Sequence, residues 1–62
     1  MLLKDAVIRA TRERDGDTYG RAAKHLSLWC GYNYREIWEQ FNEWTGIGFA
    51  EFDELLREDE RT

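Results

Sequence analysis

His25 and Cys30 are the residue pair with the chemistry of a nucleophilic catalyst, because a thiol becomes reactive when a neighbouring base takes its proton. The two residues lie five positions apart, which separates their side chains by about 140° around a helix. They therefore point in different directions. We interpret Cys30 as a buried structural cysteine and His25 as a surface residue, and we expect neither enzymatic activity nor a cofactor.

Metal ligands are too few, or wrongly spaced, for the common metal sites. Zinc prefers four cysteine or histidine ligands, and this chain has one of each. The segment that starts at Asp15 begins like a calcium-binding loop, with Asp17 in the third position and a glycine in the sixth. Tyr19 then occupies the fifth position and Leu26 the twelfth, where such a loop needs a glutamate. A turn followed by a helix cap explains the segment better, and we predict no metal site.

Acidic residues are concentrated in the second half of a chain whose net charge is -4. Residues 1–25 carry six basic and four acidic side chains, whereas residues 26–62 carry three basic and nine acidic ones. In the acidic half, glutamates recur at helical spacing in two rows, the first made of Glu36, Glu39 and Glu43, the second of Glu51, Glu54 and Glu58.

Carboxylates three or four residues apart on a helix lie about 5 to 6 Å apart at Cβ, a spacing comparable with that of successive phosphates. The two rows therefore indicate a small acidic protein-interaction module. It would be an inhibitor or adaptor that occupies a basic surface of a partner protein, in the manner of a nucleic-acid mimic. Phage-encoded inhibitors of host enzymes resemble this chain in small size and acidity, and the resemblance includes no sequence motif. The simpler interpretation is that both rows are solvated faces of amphipathic helices.

Tyrosines beside a predicted turn between two helices give a second indication of a partner surface. Tyr32 and Tyr34 flank Asn33, and tyrosine is favoured at protein interfaces because its ring is apolar and its hydroxyl is polar. Apolar residues outside the regular helical stripes extend this candidate patch for a partner or for a homodimer, namely Ile8, Leu28 and Ile47. The alternative is incidental exposure, which is normal for single apolar residues.

A helix-turn-helix protein that binds DNA is the alternative function. Residues 31–33 form a short glycine-containing turn between two predicted helices. The basic residues of the first half would then contact phosphates, namely Arg9, Arg12, Arg21 and Lys24. Against this alternative, the recognition helix would expose the first glutamate row, and phosphates would repel it.

Glycines divide the chain into segments of helical length, and these segments must position the candidate binding residues. The breaks fall at residues 15–17, 31–33 and 46–48, and the chain has no proline. We predict helices over residues 3–14, 18–30, 34–45 and 49–59. These four short helices, joined by three-residue turns, are predicted to form one all-α bundle over residues 1–62. We expect residues 59–62 to be frayed, because their negative charge lies near a helix C-terminus.

Local signals place the helix ends and the core. Asn33 followed by Glu36 predicts a capping box, Asp17 or Thr18 is expected to cap the second helix, and Gly31 is expected to end it. The apolar face of the second helix includes Trp29 and Cys30. We predict that the nine aromatic rings form the core, because each buries about 150 to 250 Å².

The single cysteine and the absence of a long apolar stretch at the start predict a cytoplasmic protein without a membrane segment.

Overall fold

The structure is a computed structural model that describes the backbone of residues 2–60 and the side chains of residues 2–58. It contains four α-helices, α1 (Leu3–Glu13), α2 (Gly16–Cys30), α3 (Tyr34–Thr45) and α4 (Phe49–Glu60), and no strand within the described residues. The predicted all-α bundle of four short helices is therefore confirmed. The helix α4 includes positions 59 and 60, and the rest of the end that we predict to fray lies outside the described residues.

The start of α2 differs from the prediction, because Asp15 is the N-cap rather than Asp17 or Thr18. The Asp15 carboxylate accepts a hydrogen bond from the backbone N–H of Thr18 at 3.2 Å and a second one from the Thr18 hydroxyl at 2.7 Å. These two bonds hold the pKa of Asp15 below its usual value. As a result α2 begins at Gly16, two residues earlier than predicted.

The capping box of α3 is present as predicted. The backbone N–H of Glu36 donates to Oδ1 of Asn33 at 2.8 Å, and the backbone N–H of Asn33 donates to Oε1 of Glu36 at 3.0 Å. Gly31 ends α2 and Gly46 ends α3 with φ values of 70° and 75°, a left-handed conformation that glycine adopts at little cost.

Three aromatic rings meet at the centre of the bundle. Tyr19 of α2 packs edge-to-face with Phe41 of α3 and with Phe52 of α4, at ring-centroid distances of 4.8 and 5.9 Å, and all three side chains are fully buried. Phe41 and Phe52 are themselves 5.7 Å apart. Aliphatic side chains from all four helices and one turn complete the core, namely Val7, Ala10, Ala22, Ala23, Leu26, Ile37, Ile47 and Leu55.

The prediction that all nine rings and Cys30 lie in the core is wrong for several of them. Trp29 is 78% exposed, Tyr34 and Phe49 are also exposed, and the thiol of Cys30 is exposed. Trp29 and Cys30 stand in the last turn of α2, which has 15 residues where the other helices have 11 or 12. The last turn of this longer helix extends past the core. The ring of Trp29 instead lies 6.2 Å from that of His25, a surface residue as predicted.

The prediction that Ile47 belongs to a surface patch is also wrong. Ile47 is only 4% exposed. Its carbonyl oxygen accepts hydrogen bonds from the indole N–H of Trp38 at 3.2 Å and from the side-chain amide of Asn42 at 3.0 Å. These bonds fold the turn between α3 and α4 back over α3, so that the Ile47 side chain packs into the core. Among the other apolar residues predicted at the surface, Leu28 is exposed and Ile8 is half-buried.

Candidate protein-interaction surfaces

The first glutamate row, here called the α3 acidic row, consists of Glu36, Glu39 and Glu43 on the side of α3 opposite the buried Ile37 and Phe41. The carboxylate of Glu36 is already used in the capping box. Glu39 and Glu43 are exposed, and within the described part of the chain neither forms an ion pair. Glu43 only accepts a hydrogen bond from the amide of Gln40, at 3.2 Å. Two carboxylates of the row are therefore available to a partner.

The second row, here called the α4 acidic row, lies beside the connection between α1 and α2. Glu51 forms an ion pair with Arg14, whose Nη1 lies 2.8 Å from the Glu51 carboxylate. Glu58 packs against the start of α2, so that a Cβ added at Gly16 would lie 3.2 Å from the Glu58 Cβ. Glu54, between them in sequence, is exposed.

The two acidic rows face different sides of the molecule. The side of α4 that faces α3 carries Asp53, which accepts a hydrogen bond from the Tyr34 hydroxyl. Asp53 lies about 140° to 160° around the helix from Glu51 and Glu58. The α4 acidic row therefore points away from α3, and the six glutamates do not form one continuous surface.

The two predicted partner-binding tyrosines have different environments. Tyr32 is half-buried against the core, and its backbone N–H donates to the carbonyl of Leu26 at 3.2 Å. Tyr34 is 44% exposed, and its ring lies 5.9 Å from that of Phe49 and 5.2 Å from that of Phe52. Tyr34 is thus the one of the pair that offers a large surface to a partner.

The Tyr34 hydroxyl, with the guanidinium of Arg57 as a second donor, holds the pKa of Asp53 below its usual value of 3.8. Because the pKa is lower in the folded than in the unfolded chain, the ionised Asp53 stabilises the fold fully above about pH 4. This stabilisation is lost as the pH falls through the folded-state pKa.

We therefore expect the variant Asp53→Asn to be less stable than the wild type at pH 7. We expect this deficit to shrink as the pH falls through the folded-state pKa of Asp53, below which Asp53 is protonated in both states. Urea denaturation followed by circular dichroism across this range measures the difference. Asp5→Asn is the control, since Asp5 is exposed and makes no hydrogen bond within the described residues. A deficit for Asp53→Asn that persists unchanged at low pH would contradict the assignment.

The basic residues of the DNA-binding alternative are interleaved with acids. They lie on two helices, Arg9 and Arg12 on α1, Arg21 and Lys24 on α2. Arg9 lies 3.7 Å from the Glu13 carboxylate, in a cleft that Asp15 also lines, and Arg21 lies 3.3 Å from that of Asp17. Lys24, about one turn after Arg21 on α2, lines a groove that α3 and α4 also border. Two of the four basic side chains, Arg9 and Arg21, are thus already beside carboxylates.

That groove is the feature that the sequence reasoning missed. It lies between α2, α3 and α4 and has a volume of about 700 Å³. Residues of all three helices line it, namely Gly20, Ala23, Lys24, Ser27, Leu28, Tyr34, Ile37, Asp53, Leu56 and Arg57. Leu28 and Tyr34 are singled out by the sequence, but nothing in the periodicity of one helix shows that residues of three helices converge. A groove of this kind is visible only in the packed structure.

Comparisons of the chain with protein-family models, with curated proteins and with solved structures find no match. Within the described part of the chain, no three histidine, cysteine, aspartate or glutamate side chains come together as metal ligands would. The described helices include none with the length and apolar character needed to span a membrane.

Proposed function

We propose that this chain is a small protein-interaction module, an inhibitor or adaptor that occupies a basic surface of a partner protein through the α3 acidic row. The observation that carries the proposal is the pair Glu39 and Glu43, which are exposed and without an ion pair among the described residues. The pair lies on a helix that is held by a capping box and by the buried Phe41. A rigid helix presents its carboxylates at a fixed spacing, which suits a regular array of basic groups.

The charge of the chain supports a basic partner. The net charge of -4 produces a field that attracts basic surfaces and raises the association rate, more strongly at low salt. The field also disfavours nucleic acid, because phosphates repel the exposed glutamates. Two of the four basic residues of the DNA-binding alternative already have acidic neighbours, Glu13 at 3.7 Å and Asp17 at 3.3 Å.

Neutralising the α3 acidic row tests the proposal. The partner is first captured from cells that produce the protein and purified, and its affinity is then measured by titration calorimetry. We expect the double variant Glu39→Gln and Glu43→Gln to bind about tenfold more weakly than the wild type, since two interfacial charge pairs are lost. We also expect the difference to shrink at high salt.

The control is the double variant Asp5→Asn and Glu13→Gln, which makes the same change in net charge on α1. We expect its affinity to change by less than about twofold, as is usual for charges outside an interface. Equal weakening by both double variants would show a dependence on net charge alone and would remove the α3 acidic row from the function. Salt-sensitive binding of the wild type to duplex DNA at moderate salt would favour the DNA-binding alternative instead.

A further inference from the structure

We propose that the groove between α2, α3 and α4 is a second docking site, which binds an amphipathic helix of a partner protein whose apolar side is flanked by carboxylates. The site goes beyond the proposed function, because it lies on a different surface from Glu39 and Glu43. It also fits an acidic partner, whereas the α3 acidic row fits a basic one. A protein with both surfaces can bridge two partners.

The floor of the groove is apolar, and one wall exposes a large apolar side chain. Ala23, Ile37 and Leu56 line the floor, and Leu28 stands at the rim with 72% of its surface exposed. The volume of about 700 Å³ lies within the range of about 300 to 1,000 Å³ that is typical of binding clefts. An apolar side chain of a partner placed between Leu28 and Leu56 would remove both from water.

The charges at the rim indicate that the partner is acidic. Lys24 and Arg57 stand on opposite walls of the groove, and Asp53 is the acid beside them. The guanidinium of Arg57 lies 2.8 Å from the Asp53 carboxylate, which also accepts a hydrogen bond from the Tyr34 hydroxyl. Lys24, in contrast, has no ion pair within the described residues. With two basic side chains and one acid, this rim is positive and complements a carboxylate.

The backbone around the groove selects a helical partner. The lining residues belong to α2, α3 and α4, where intrahelical bonds already use most backbone N–H and C=O groups. An incoming peptide therefore finds no strand edge to pair with, and a helix has the advantage that it satisfies its own backbone groups. The small residues Gly20 and Ala23 on the α2 side allow such a helix to approach closely.

The test is a nuclear magnetic resonance titration of the full, isotope-labelled chain with two helical peptides of about 14 residues, or about four turns. Both peptides carry leucines on one side, flanked by glutamates in the first peptide and by lysines in the second. We expect the glutamate peptide to shift the amide signals of Lys24, Leu28 and Leu56 with a Kd below about 1 mM. We expect the lysine peptide to bind at least about fivefold more weakly.

Variants with matched controls complete the test. We expect Lys24→Glu to weaken the glutamate peptide about fivefold and Leu28→Ala to weaken it about tenfold. Lys4→Glu and Leu2→Ala, at exposed sites that do not line the groove, are expected to leave the affinity unchanged. The double variant of Glu39 and Glu43 should also bind the peptide normally, so that the failure of one surface is separable from the failure of the other.

Four results would overturn the groove proposal. The first is the absence of shifts at the groove at millimolar peptide. The second is equal binding of the two peptides, and the third is equal effects of Lys24→Glu and Lys4→Glu. The fourth is a concentration-dependent shift of the groove signals without any peptide, with a matching rise in sedimentation coefficient. That result would show that a second copy of this chain occupies the groove.

Discussion

Replacing Phe52 with alanine is expected to destabilise the fold by about 3 to 5 kcal/mol, the range for removing a buried aromatic ring. Phe52 is fully buried and its ring contacts those of Tyr19, Tyr34 and Phe41. A single core in a domain of this size rarely supplies more than about 3 to 5 kcal/mol in total. Most of the Phe52→Ala chains should therefore be unfolded at 25 °C.

Far-ultraviolet circular dichroism and urea denaturation measure this effect, and Trp29→Ala is the matched control. Trp29 is a larger ring, but it is 78% exposed, so we expect its removal to cost less than about 0.5 kcal/mol. A Trp29→Ala variant that is as unstable as Phe52→Ala would show that the last turn of α2 is packed against the core, contrary to the structure.

Replacing Ile47 with alanine is expected to have the second largest effect, a loss of about 2 to 4 kcal/mol. Although Ile47 stands in the turn between α3 and α4, its side chain is buried in the core, and its carbonyl is held by Trp38 and Asn42. The missing atoms would leave a cavity in the buried core cluster to which Ile47 belongs. The midpoint of urea denaturation gives the loss directly.

Leu28→Ala is the aliphatic control for this prediction. Leu28 is in a helix but 72% exposed, so we expect a cost below about 0.5 kcal/mol. If the helix residue proved more important to stability than the turn residue, the described path of the turn over α3 would be wrong. The same control also confirms that the Leu28 variant is folded for the peptide titration.

The helices are predictable from the sequence because their signals are local. A glycine break, the Asn33 and Glu36 pair, and apolar residues at helical spacing each act within a few residues. The bounds of α3 agree with the prediction. The error at α2 arises because Asp15, Asp17 and Thr18 are all acceptable caps, and only the geometry of the turn selects Asp15.

The core and the surfaces are less predictable because they depend on which helix lies next to which. Trp29 is on the correct side of α2 to be buried, but among the described residues no neighbouring helix covers that turn. Periodicity also shows that each glutamate row is exposed on its own helix. It does not show that the α4 acidic row lies beside Arg14 and Gly16, which turns it away from α3, or that three helices leave a groove beside Lys24.

Zero-length cross-linking of the captured complex tests the central proposal most directly, since a carbodiimide joins carboxylates only to amines that are in contact with them. We expect mass spectrometry to find Glu39 and Glu43 joined to lysines of the partner. Cross-links from Asp5 or Glu13 in their place, with none from Glu39 or Glu43, would show that the α3 acidic row does not contact the partner.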